Sequence, residues 1–168
     1  NNISSNGGHD ILLICSGNNT FRNNKIADHE GNFGVYGRNL EEYIQHIDTS
    51  NTIDEKPIYY LIDEQNKQIS GNAGYVGIVN STNIIIKDLK LTKNREGVLL
   101  AYTKNSRIEN VTVENNSYGI YLDESSGITL INNTAANSWC GIYLDSSGNN
   151  TLVNNIMSEN TYNFVIKT

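Results

Sequence analysis

The chain has 168 residues, a formal net charge of −6 and a pI near 5.0, a length suited to one domain with a continuous if narrow core. An acidic balance with scattered Lys and Arg argues against nucleic acid and anionic membrane surfaces as partners. No run approaches the ~20 apolar residues of a membrane helix, so no membrane insertion is expected.

There are 14 Gly and a single Pro, with many Asn-Asn and Ser-Gly pairs. That mixture suits short strands joined by tight turns, because Asn and Gly tolerate a left-handed backbone. Cys15 and Cys140 sit far apart at non-equivalent points, so a disulfide is not expected. Asn-X-Ser/Thr sequons begin at Asn2, Asn18, Asn80, Asn110, Asn115, Asn132 and Asn149. In an Asn-rich chain they lend only weak support to an exported protein. The chain opens without an initiator Met or an apolar leader, so any export signal is expected to lie outside it.

A fixed period orders the elements. Gly119-Ile120-Tyr121-Leu122-Asp123 returns 22 residues later as Gly141-Ile142-Tyr143-Leu144-Asp145. A period in the twenties marks a solenoid, whose units bury their apolar faces only against neighbours. Taken from the start, residues 1–10 read as the remains of a turn. Ile11, Leu12 and Leu13 then align with Ile142, Tyr143 and Leu144, Asn24 with Asn155, and Phe33 and Val35 with Phe164 and Ile166. The N-terminal third is therefore expected to be coiled.

Residues 38–73 fit the columns badly and predict two modified coils or a hairpin excursion. This stretch holds the only Pro, and its Pro57-Ile58-Tyr59-Tyr60-Leu61-Ile62 strand is unusually aromatic. From Tyr75 onward the columns are regular. Val76, Val98, Ile120, Ile142 and Phe164 form one, and Ile78, Leu100, Leu122, Leu144 and Ile166 a second. Ile86, Ile108, Leu130 and Leu152 form a third; Leu91, Val113, Ala135 and Met157 a fourth.

Within each unit the apolar residues alternate over three to five positions, which is strand periodicity. The unit reads as strand, turn, strand, turn. The predicted fold is all-β, a single-stranded right-handed parallel β-helix of ~22-residue coils, the hand following from the preference of parallel crossovers. Asn94, Asn116, Ser138 and Asn160 share a turn column, and Asn133 and Asn155 another. Stacked amides there bond to one another and to turn backbone, which predicts a structural role.

The segments His46-Ile47-Asp48-Thr49-Ser50, Lys56-Pro57-Ile58-Tyr59-Tyr60, Ala73-Gly74-Tyr75-Val76-Gly77 and the later Gly-Ile-Tyr-Leu units resemble archaeal NosD-like proteins. These are also called CASH domains, parallel β-helix repeats of methanogen cell-surface proteins. The resemblance covers the chain from about Arg38 onward. It implies a right-handed parallel β-helix, an extracellular or cell-surface location, and a role on polysaccharide or in the envelope. It fixes no activity.

NosD-type proteins carry a copper-binding label, and copper wants clustered His, Cys or Met. His9, His29 and His46 are scattered and Met157 belongs to a core column, so no metal site is predicted. Asp123 and Asp145 are one coil apart with Glu124 beside them. Two carboxylates at such spacing serve a glycosidase, or share a Ca²⁺; each also precedes Ser-Ser-Gly, where a carboxylate caps the turn. Asp123 and Asp145 are thus weak catalytic candidates only.

By period 2, Gly77, Leu99, Tyr121, Tyr143 and Val165 face away from the core. An exposed apolar ridge marks a covering segment, a partner or a ligand platform. With Asp123, Asp145 and Glu124 beside them, the rings of Tyr121 and Tyr143 suit sugars. The alternative is that a loop from the modified coils of residues 38–73, for instance around Tyr59 and Tyr60, lies over the ridge. Trp139, Tyr118 and Tyr162 are expected to plug a corner, with Cys140 a small buried thiol.

The sequence thus predicts a non-catalytic surface or envelope module that binds polysaccharide or an envelope protein through Tyr121, Tyr143, Asp123, Asp145, Glu124 and Leu99. The rival readings are a polysaccharide hydrolase or lyase, and a purely structural segment. The last coil ends uncapped at residues 164–168, which predicts a piece of a longer chain or end-to-end self-association through the C-terminal coil.

Overall fold

The 22-residue period is visible as a stack of parallel coils in the structure, a computed structural model that describes residues 1–4, 8–27 and 31–168. His29, placed by the sequence on a turn column, lies outside the described residues. Each regular coil carries one long strand and two short ones. The long strands Tyr75–Val79, Glu96–Ala101, Tyr118–Asp123, Cys140–Asp145 and Tyr162–Lys167 lie side by side in one sheet. The short strands form a second sheet from Gln68–Ser70 to Thr151–Val153 and a third from Lys90–Thr92 to Ile156–Ser158.

The register follows the sequence columns. Val76 pairs with Val98, Val98 with Ile120, Ile120 with Ile142 and Ile142 with Phe164. Ile86, Ile108, Leu130 and Leu152 pair in the same way, as do Leu91, Val113, Ala135 and Met157. Their side chains meet inside the coil, where Val76, Ile78, Val98, Leu100, Ile120, Leu122 and Ile142 are fully buried. A one-residue slip would turn every one of them outward, so the register is strongly specified.

Polar columns close the turns. Each side-chain oxygen accepts the backbone N–H of the coil before it: Asn116 from Asn94, Asn160 from Ser138, Asn133 from Val111 and Asn155 from Asn133, at 2.9–3.0 Å. The amide nitrogens donate to carbonyls 25 residues back, Asn133 to Ile108 and Asn160 to Ala135. A Ser/Thr column repeats the device, Ser125 accepting from Thr103 and Ser147 from Ser125. Other asparagines supply the bends: Asn80, Asn110, Asn115, Asn132, Asn137 and Asn154 all have φ between 46° and 56°, the left-handed region that Asn tolerates.

Gly97, Gly119 and Gly141 mark where coils approach most closely. A Cβ on Gly97 would stand 2.6 Å from the Gly119 carbonyl oxygen, and one on Gly141 2.7 Å from that of Asn163. Only glycine fits there.

The N-terminal third is coiled, but it does not continue the stack in line. Its pairs are offset by irregular amounts: Asn2 with Lys25, Ile11 with Phe33, Thr20 with His46 and Lys25 with Thr52. The chain then reverses through an antiparallel hairpin, Thr52 opposite Pro57, with Asp54 and Glu55 both at positive φ. Two consecutive left-handed residues make the primed turn that matches strand twist. Residues 40–44, which the sequence left outside the strand pattern, begin with a short helix, Leu40–Tyr43, capped by the Asn39 side chain.

The reversal lays this lobe over the outer surface of the long-strand sheet and creates a second core. Phe33, Val35, Tyr43, Ile47, Ile53 and Ile58 meet Tyr60, Tyr75, Leu99 and Tyr121. The Arg95 N–H donates to the Phe33 carbonyl at 2.9 Å and the Asn32 N–H to the Lys93 carbonyl at 2.7 Å. The described residues therefore form two hydrophobic clusters, one inside the coils and one between coils and lobe.

Candidate functional site

The outward strip divides at the lobe's edge. Leu99 is 0% exposed and Tyr121 3% exposed, while Tyr143 and Val165 are half-buried. The expected solvated platform over Leu99 and Tyr121 is absent because the segment Phe33–Tyr36 and the helix Leu40–Tyr43 cover it. The cover comes in part from residues 38–73, through the helix Leu40–Tyr43, but not from around Tyr59 and Tyr60. Tyr60 lies in the second core, donating to the Tyr43 carbonyl at 2.7 Å, and Tyr59 packs on the first.

The carboxylates stand at the same edge. Asp123 and Asp145 are register partners on adjacent strands, as their repeat positions require. Asp123 is 9% exposed and accepts the Tyr43 hydroxyl at 2.6 Å. Burial pushes its carboxyl up to about 6; Tyr43 opposes this, and the like charges of Asp145 and Glu124 add to it. Tyr43 in turn is held far above an ordinary phenol by burial and the Asp123 charge. Asp145 is half-buried and pairs with Lys167 at 3.0 Å, and Glu124 is exposed at φ 48° in the turn. The Asp123 carboxylate is thus spent on fastening the lobe rather than on capping its own turn.

Beside the strip runs an aromatic row. Tyr118 stacks on Tyr121 at 5.2 Å and meets Trp139 and Tyr143 edge-on at 5.2 and 5.3 Å. Trp139 meets Tyr162 edge-on at 5.3 Å. The Arg95 guanidinium lies over Tyr36 and Tyr118, 5.0 and 5.3 Å from the ring centres, and pairs with Glu96. Glu96 is fully buried and also accepts from the Tyr75 hydroxyl and the Val35 N–H. Burial raises its carboxyl above the usual range, against the pull of Arg95.

The row ends in solvent. Cys140 is buried, its thiol pushed up to about 11 by burial, so the corner is filled by the small residue. Trp139 and Tyr162 are 46% and 51% exposed. Trp139 shares its column with Arg95, Ser117 and Thr161, so it is the one large apolar ring in an otherwise polar column; that misfit was the signal in the sequence. It walls a groove of about 490 Å³ lined also by Lys93, Asn115, Asn116, Ser117 and Asn137. The floor is ladder residue Asn116, and Lys93, Asn115 and Asn137 are exposed turn residues at φ 53–62°.

Residues 39–168 match the family model described as "Periplasmic copper-binding protein (NosD)". No curated protein and no solved structure matches the chain. The copper in that description has no evident seat: among the described residues, no three of His, Cys, Asp and Glu come together around a common point. His46 bonds to the Asn18 side chain at 3.2 Å, and Met157 lies against the first core. Nor is any helix among the described residues long and apolar enough to cross a membrane. With most of its length matched and a coil stack of the expected kind, the chain belongs to the NosD family, a periplasmic and hence envelope-associated family of β-helix proteins.

Proposed function

We propose that this protein is an envelope module that binds polysaccharide along its aromatic edge and performs no chemistry on it. The observation that carries the reading is the half-exposed Trp139 beside a groove with exposed amide side chains. Sugars offer just these two faces: C–H surfaces that stack on rings, and hydroxyls that bond to amides. The binding residues first read from the sequence contribute unequally. Tyr143, Asp145 and Glu124 flank the accessible edge, whereas Leu99, Tyr121 and Asp123 support it from beneath the lobe.

A hydrolase or lyase based on Asp123 and Asp145 is the rival, favoured by a buried acid pushed up to about 6 beside a second carboxylate. Asp123 is shielded by Tyr43, and Asp145 is held by Lys167, so neither is free to meet a glycosidic bond. A glycan array on the protein and on Trp139→Ala tests the proposal, with binding expected in the first and lost in the second. Release of reducing sugar from a bound glycan, abolished in Asp123→Asn, would establish the enzyme instead.

A further inference from the structure

We infer that the groove takes an uncharged, linear polysaccharide running parallel to the solenoid axis, one sugar unit per coil. This rests on the polysaccharide-binding reading above and adds the ligand's direction and charge class.

The direction follows from the repeat. Lys93, Asn115 and Asn137 are successive members of one turn column: the Lys93 N–H donates to the Asn115 carbonyl, the Asn115 N–H to that of Ala136, and the Asn137 N–H to that of Ser158. Stacked strands are ~4.8 Å apart, so the three side chains form a straight rail with that spacing. All three are exposed and held in a left-handed bend. An extended glycan advances by a similar step per pyranose unit. A chain laid on the rail therefore meets a side-chain donor at three successive units, the Lys93 ammonium and then the Asn115 and Asn137 amides, whereas one laid across it meets a single coil.

The stacking platform lies alongside. Trp139 stands two residues beyond Asn137 in the same turn, and its ring continues to Tyr162 in the next coil at 5.3 Å. A glycan on the rail would present its C–H face to Trp139 and its hydroxyls to Asn115 and Asn137.

The charge class follows from what the rail carries. Lys93 begins it, and the next member of the column beyond Asn137 is Glu159, also exposed at positive φ. Arg95 is turned inward onto Glu96, Tyr36 and Tyr118, and Lys90 is paired with Glu114 at 2.8 Å. The groove thus offers no cluster of free cations to a polyanion, and the chain as a whole carries −6. Neutral amides facing neutral hydroxyls are the complementary arrangement.

The test exploits the single tryptophan, which makes intrinsic fluorescence a direct report from the groove. Neutral oligosaccharides (cello-, manno- and chito-series of increasing length) and oligogalacturonates of matched length are titrated against the wild type, Asn115→Gly and Asn137→Gly, each of which keeps Trp139. Glycine accepts the left-handed bend at both positions, and circular dichroism of each variant checks the fold. At least one neutral series should shift the emission, with affinity rising with length until the rail is spanned. Each glycine variant should weaken the longer ligands by about three- to tenfold, the worth of one neutral hydrogen bond.

Affinity independent of length, oligogalacturonates binding as tightly as neutral chains, or glycine variants that bind like the wild type would each overturn the axial inference. In those cases array binding lost in Trp139→Ala would leave the polysaccharide reading standing. No response to any glycan by fluorescence or array overturns both.

Discussion

Asp123 ties the lobe to the stack with an acid that burial makes reluctant to ionise. Its folded value of about 6 lies above the ordinary 3.8. A raised carboxyl contributes stability that is full below pH ~3.8 and is lost as pH rises through about 6. The wild type should therefore lose stability between pH 4 and 6.5 by a component that Asp123→Asn lacks, since Asn still accepts from Tyr43 without repelling Asp145 and Glu124. Denaturant midpoints across that range check it, and parallel curves for the two proteins would refute it.

Tyr43→Phe removes the donor side of the same bond. The Tyr43 hydroxyl holds the Asp123 carboxyl down, so its loss should push that group further above 6 and cost about 1–3 kcal/mol at neutral pH, the worth of a buried bond to a charged group. The carbonyl that accepts from Tyr60 is untouched, so the lobe should stay docked, with the Asp123 titration moved upward in a carboxyl NMR experiment.

At the scale of the element, the sequence carries nearly the whole regular stack, because each coil faces the same demand. A column must be apolar where three sheets converge, glycine where coils approach, and Asn, Ser or Thr where an N–H of the preceding coil needs an acceptor. Gly119 shows how narrow that demand is: a Cβ there would run into the Gly141 carbonyl and Val113. Gly119→Ala should cost about 2–4 kcal/mol through backbone displacement, whereas Gly148→Ala, with nothing within 4 Å of a Cβ, should fall within about 0.5 kcal/mol of the wild type. Thermal unfolding of the pair gives the comparison.

The ladder makes a second prediction at this scale. Asn133 accepts from Val111 and donates to Ile108 and Asn155. Val111, the preceding member of its column, is apolar and fully buried, so Asn133→Leu is tolerable in shape on that side while orphaning a buried N–H and a carbonyl. The expected loss is about 2–4 kcal/mol, two unsatisfied groups at 1–3 kcal/mol each less the apolar gain. A variant as stable as the wild type would mean that the amide ladder is ornamental to the coil.

For the whole molecule, the lobe is what periodicity did not reveal. Its coils pair at unequal offsets, and its partners in the stack lie some sixty residues away, Val35 against Glu96 for instance. Only the apolar character of the outward strip betrayed a cover, since Leu99 and Tyr121 had no reason to be apolar if solvated. What the strip did not disclose was the cover's identity, because Phe33 and Val35 fit the repeat columns equally well. Trp139 was missed as a site for the converse reason: it lies beside Cys140 in a corner where packing seemed sufficient.

Arg95 joins the two bodies through several contacts at once. It donates its N–H to Phe33, fits its stem against Gly34, lies between Tyr36 and Tyr118, and neutralises the fully buried Glu96. Arg95→Met keeps the stem and removes the charge, leaving Glu96 buried without its cation. Arg95 pulls the Glu96 carboxyl down against burial, so in the variant that group should rise further above the ordinary 4.5. Its contribution is then retained below about pH 4.5 and lost as pH rises through the new folded value. The variant should be modestly destabilised at pH 4.5 and destabilised by about 3–5 kcal/mol at pH 7.5, the usual cost of breaking a buried pair. Arg95→Met with Glu96→Gln removes the stranded charge and should recover most of the loss at pH 7.5 while changing little at pH 4.5. Denaturation at the two pH values, with hydrogen exchange at Val35 and Arg95 as reporters of the seam, measures both. If the single and double variants are equally unstable at both pH values, the charge is irrelevant and Arg95 holds the lobe by packing alone.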